Sequence, residues 1–132
     1  MDSRDVVITL MIALPVLTIG IVVWGGLRLK ALLARVPRIA SKKDLEIYAA
    51  EHKLHDMLGT LIKALLGVAN ALFVVDLFVL DGPISDLFYS ITPSIVCILV
   101  SIPFRAIDQK ANDLECATDD LRKEWNVVRQ GP

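Results

Sequence analysis

Little in this sequence belongs to an enzyme or a cofactor carrier. Only two cysteines and two histidines occur in 132 residues. If one helix joins Cys97 and Cys116, they lie about 28 Å apart at about 1.5 Å per residue. A disulfide needs Cα atoms within about 7 Å, so none is expected within the chain. His52 and His55 share a helix face with Glu51 and Asp56 nearby, but no cysteine or third histidine lies close in sequence to complete a metal site. Solvated helix polarity is the reading for these four, with no metal and no cofactor expected. Nucleophile elbow, phosphate loop, zinc spacing and paired-carboxylate arrangement are all missing, as are internal repeats and low-complexity tracts. The expected protein is not an enzyme and has no catalytic residues. Charge of one sign is also missing: the formal net charge is −1, which gives no electrostatic footprint for nucleic acid.

What is present is apolar sequence in long runs. Residues 6–27 carry no charge, and a bilayer core of about 30 Å needs about 20 helical residues. Pro15, Gly20, Gly25 and Gly26 fall in this run, where membrane helices tolerate them. Residues 1–5 lack a basic n-region and the run is too long for an h-region, so it reads as a retained span rather than a signal peptide. Residues 61–80 form a second run, interrupted by Lys63, Asn70 and Asp76, and residues 87–104 a third without charge. Asp81, Gly82 and Pro83 make residues 81–86 a tight turn. Open sheets cannot cross lipid with their backbone groups unpaired. The expected fold is therefore an all-α integral membrane protein, one domain over residues 1–132, with three transmembrane helices.

Basic residues set the expected orientation. Arg28, Lys30, Arg35, Arg38, Lys42, Lys43 and Lys53 crowd residues 28–60, whereas residues 81–86 contain neither Lys nor Arg. The positive-inside rule puts the N-terminus, Met1, outside and the C-terminus, Pro132, inside. Trp24 then anchors the inner end of the first span. The membrane is a bacterial inner membrane or an organellar one of equivalent topology.

Residues 28–60 read as a basic cytoplasmic linker and helix. Pro37 ends any extension of the first span, and Ser41 with Asp44 resembles a helix N-cap and its acidic first turn. A helix over residues 42–80 would be about 58 Å long. Residues 105–132 read as a cytoplasmic amphipathic helix. Ile107, Ala111, Leu114, Thr118, Leu121, Trp125 and Val128 recur with alternating four- and three-residue spacing, as in a short coiled-coil seam. That seam packs on the chain's own 42–58 helix or docks a partner, with Leu114, Leu121, Trp125 and Val128 as the docking residues.

Within the spans, Thr60, Ala64, Gly67 and Ala71 form one stripe of small residues, and Ser90, Ser94, Cys97 and Ser101 another. Small stripes let backbones approach, which packs helices in lipid. They are expected to form the hairpin seam of the second and third spans, with a polar path for an ion as the rival. Asp76 and Asn70 are the intramembrane polar residues. Asp76 is a candidate for ion pairing or proton binding; Asn70 is a candidate interhelical hydrogen-bonding group.

Leu58-Gly59-Thr60 and the stretch SIVCILVSIP from Ser94 to Pro103 resemble the corresponding motifs of MotA/TolQ/ExbB proton-channel subunits. The order of spans is similar as well. The resemblance implies a homo-oligomeric stator in which Thr60 and Ser94 are pore-facing hydroxyls. Cys97 stands where that family has glycine, the family's APLLG lead-in is missing, and the 28–60 segment is far shorter than its cytoplasmic loop. The residues themselves point first to a small non-catalytic accessory subunit or assembly factor of a larger membrane complex. Its partners are other membrane subunits and the bilayer. A proton-channel stator and a minor haem- or pigment-binding subunit are the alternatives.

Overall fold

The computed structural model describes residues 2–130. Met1, Gly131 and Pro132 lie outside them, and with them both terminal residues by which the orientation is stated. The described chain is all-helical: α1 (Ser3–Arg35), α2 (Lys42–Phe78), α3 (Leu87–Asn112) and α4 (Asp119–Gln130), with a 3-10 turn at Ile84–Asp86 before α3. Three helices are long and apolar enough to cross a membrane: α1, α2, and α3 together with its 3-10 turn. The outward side chains suit such a setting, since Val16, Leu17, Val68, Val74, Ile98 and Leu99 are all exposed.

Helix limits follow local chemistry. Pro37 has no N–H to continue α1, and the last turn closes with Val36 N–H donating to the Leu32 carbonyl. Ser41 caps α2 as its sequence implies. Its hydroxyl accepts from Asp44 N–H at 3.4 Å, and the Asp44 carboxylate accepts from Ala40 N–H at 3.1 Å. Residues 105–130 depart from the expected single helix. Helix α3 stops at Asn112, and residues 113–118 run irregularly before α4 begins. Thr118 is the reason: it acts as an N-cap, accepting from Leu121 N–H at 3.2 Å, and Asp119 and Asp120 follow in the first turn. Hydroxyl and acidic side chains there satisfy the free amides and the positive end of the helix dipole.

The chain divides into two compact units, each built from separated stretches of sequence. The first unit comprises residues 2–23 and 59–102. Each helix carries a pair of buried positions seven apart: Met11 and Thr18 on α1, where Pro15 is buried as well, Ala69 and Asp76 on α2, and Ser90 and Cys97 on α3. Thr18 Oγ1 donates to the Pro15 carbonyl at 2.6 Å and lies 3.3 Å from Cys97 Sγ. Small side chains at these contacts let the helices approach closely.

The second unit comprises residues 24–58 and 103–130. Its core is Leu32, Ile39, Leu45, Tyr48, Leu114 and Trp125, flanked by Leu121, Val128 and Cys116. The Tyr48 and Trp125 rings meet edge to face, with centroids 5.9 Å apart. Ile39 bridges the α1–α2 connection to residues 115–117: its N–H donates to the Glu115 carbonyl, and its carbonyl accepts from Ala117 N–H, both at 2.9 Å. The Tyr48 hydroxyl donates to the Val36 carbonyl. Burial pushes this phenol above its ordinary value of 10.0, Asp44 adds to the rise, and Arg35 opposes it. A raised value in the folded state stabilises below pH 10.0, and that stabilisation disappears as pH climbs through the folded value. Melting temperatures taken across that range should fall less steeply in Tyr48→Phe than in the native protein.

Candidate functional site

Three charged side chains meet at the hairpin end of the first unit. Asp76 lies in the last turn of α2. Beyond it, Asp81 adopts a left-handed conformation with φ 55°, which aspartate tolerates better than most residues. The chain then folds back, and Gly82 N–H donates to the Asp76 carbonyl at 2.8 Å. Gly82 therefore lies directly against the Asp76 carboxyl group, and a Cβ there would overlap all three atoms of it. Only glycine fits this approach. The following 3-10 turn holds Asp86, whose N–H donates to the Pro83 carbonyl at 3.0 Å. Arg4, in the first turn of α1, completes the group.

The Arg4 guanidinium donates through Nη2 to Asp86 Oδ2 at 2.6 Å, and its Nε is 3.5 Å from Asp76 Oδ1. The Asp76 side chain is fully buried and that of Asp86 is 5% exposed, whereas that of Arg4 is 41% exposed. The two carboxyl groups thus share one guanidinium. Among the described residues, neither Asp76 oxygen has a hydrogen-bond donor, and Arg4 Nε has no acceptor. One cation thus faces two buried acids. Sequence reasoning found Asp76 but neither partner. The signal was present: Arg4 is the only basic residue before the first apolar run, and Asp86 directly precedes the third.

The two small stripes have different fates. On α3, Ser90 and Cys97 are buried and Ser94 and Ser101 half-buried. Their hydroxyls turn to their own helix: Ser90 donates to the Leu87 carbonyl, Ser94 to the Ser90 carbonyl and Ser101 to the Ile98 carbonyl. On α2, Thr60, Ala64, Gly67 and Ala71 are all exposed, and a Cβ at Gly67 would meet nothing within 4 Å. The expected hairpin seam is therefore not on this face of α2. The cause is rotational. Successive residues turn by about 100° at 3.6 residues per turn. Burying Asp76 brings Ala69 inward, seven residues earlier, and two further positions carry Gly67 to the opposite side. Asn70 is exposed on the outward side too, and its carboxamide bonds to no other described residue.

The C-terminal seam residues pack within the chain itself. Leu114 and Trp125 are in the core of the second unit, with Leu121 and Val128 packed against it. Their stripe is covered by the chain's own Leu45 and Tyr48. The same unit contains a cavity of about 320 Å³ lined by Glu51, His52, His55, Asp56, Asp108 and Trp125, among others. Glu51 accepts from Arg28 Nε at 3.0 Å and pairs with His55 at 3.2 Å; His52 lies 3.5 Å from Asp56. Desolvation pushes the Asp108 carboxyl above its ordinary range, and His55 acts in the opposite direction. Among the described residues no group of three or more His, Cys, Asp or Glu side chains is arranged to hold a metal ion. Both cysteines are free.

Comparison with protein-family models, curated proteins and solved structures finds no match.

Proposed function

We propose that this protein is a non-catalytic subunit of a larger membrane complex, held by the outward face of α2. One observation carries the reading. Asn70 lies midway along the 61–80 run, exposed, between the small residues Gly67 and Ala71 on the same side. A carboxamide facing hydrocarbon has no water to bond. A second helix that approaches closely over small residues supplies both the packing and the hydrogen bond. Thr60 and Ala64 continue that face toward the basic segment. The orientation supported by the basic residues is N-terminus outside and C-terminus inside, with α4 and the 28–60 segment on the cytoplasmic side of a bacterial inner membrane or its organellar equivalent.

Gly67→Leu and Asn70→Leu test the reading against Val68→Leu. The first two variants should lose their stoichiometric partners on purification in mild detergent, while Val68→Leu retains them. Partner loss in Gly67→Leu should come without a lower melting temperature of the isolated chain, because a Cβ at Gly67 meets nothing within 4 Å and the position is exposed. Full retention of partners by both variants would reject this face. A ring composed only of identical copies would favour the stator-like reading instead.

A further inference from the structure

We propose that Asp76 and Asp86 bind one proton between them, clamped by Arg4, and that this proton fastens the start of α1 to the hairpin end of the first unit. With both acids ionised, the group holds two negative charges against one guanidinium. An uncompensated buried charge is strongly unfavourable. One proton makes the group neutral.

Hydrogen bonding leads to the same species independently. Asp76 is fully buried, and both its oxygens lack a donor among the described residues. Two carboxylates on one guanidinium can only accept, so they repel. A single O–H placed between them converts that repulsion into a charge-assisted bond. The Asp76 carboxyl is the natural bearer of this proton, because Arg4 already donates at 2.6 Å to Asp86, which remains the carboxylate. Gly82 seals the opposite side, its backbone lying against the acid.

The groups that act on the two acids come from separate elements. Arg4 comes from α1, Asp86 from the 3-10 turn, and Tyr89 from the start of α3 acts electrostatically on Arg4. None supplies a second positive charge to Asp76. The bond is made by a species that alkaline solution removes. Losing it leaves two facing carboxylates, and the contact between α1 and the hairpin opens.

Infrared spectroscopy of the full protein in lipid at neutral pH provides the direct test. The native protein should show the carbonyl stretch of a protonated carboxylic acid. Asp76→Asn and Asp86→Asn should each abolish it, because the remaining carboxylate then forms a simple ion pair with Arg4. Melting curves add a second readout. The native melting temperature should decline as pH rises, whereas Asp76→Asn, whose amide donates permanently to Asp86, should hold its value. Absence of the carboxylic-acid band from the native protein would overturn the proposal, as would its persistence in Asp76→Asn. A native melting temperature restored at high pH by sodium but not by choline would identify a metal cation as the occupant and overturn it equally.

Discussion

Trp125→Ala should destabilise the second unit by about 3–5 kcal/mol, the range for removing a large aromatic side chain from a packed core. Trp125 is 3% exposed and meets Tyr48 edge to face and His52 at 6.3 Å. Its removal leaves a void bordered by Tyr48, Leu45 and Ile39, and the rest of the core relaxes only in part. Trp125→Phe should cost far less. The indole Nε1 is buried without an acceptor among the described residues, so phenylalanine discards an unpaired donor while retaining an aromatic ring. Thermal or denaturant unfolding in detergent, followed by the circular dichroism of the helices, measures both. Membrane insertion should be unaffected, since the apolar runs of α1, α2 and α3 decide it. A Trp125→Ala protein as stable as the native one would show that the side chain is not a core element.

Gly26→Ala should destabilise by about 1–3 kcal/mol, an effect of overpacking. The expected sign is opposite to the ordinary one, because alanine exceeds glycine in helix propensity by about 1 kcal/mol. Gly26 touches the Phe104 ring so closely that a Cβ would overlap it, including the ring carbon nearest the backbone. Gly20, on the same helix, has nothing within 4 Å of its notional Cβ, and Gly20→Ala should be neutral or stabilising. In a Phe104→Ala background the penalty at Gly26 should vanish, since removal of the ring removes the clash. Equal effects at Gly20 and Gly26 would mean that helix propensity, not contact, governs both.

The membrane-crossing helices were legible because apolar length is a one-dimensional signal. Residues 6–27 and 87–104 fall in helices of sufficient length, as does the second run up to Phe78, where α2 ends two residues short of the expected 80; Ser41 caps α2 as its chemistry requires. Rotation was less legible. A stripe of small residues marks a face that permits close approach, but α2 carries two competing inward candidates. Gly67 and Ala71 match the small-residue pattern, and Asp76 does not; burial of the acid prevails because a charge in an apolar setting must find its partners. Those partners, Arg4 and Asp86, stand 72 and 10 positions away in the chain, beyond any periodicity. At the C-terminal end the error was one of period. The spacing from Ile107 to Val128 continued through Thr118 as if it were a seam position, when Thr118-Asp119-Asp120 is also a helix start. The same spacing did pick out Leu114, Leu121, Trp125 and Val128 as apolar residues that must be covered, and the chain covers them itself.

The Ile39 bridge has a consequence for biosynthesis. Ile39 is translated 76 residues before Glu115, and between them the ribosome must deliver all of α2 and α3. Half of the second unit is thus made early and waits. Until residues 114–125 emerge, Leu32, Leu45 and Tyr48 lack the Leu114 and Trp125 side chains that complete their core. The nascent chain passes through a stage with membrane segments synthesised and an apolar surface still open, the kind of surface that chaperones and proteases survey. Release from that surveillance is timed by residues 114–128: the second unit closes only after α2 and α3 have been made, and a chain halted before Leu114 would present its unfinished state for removal.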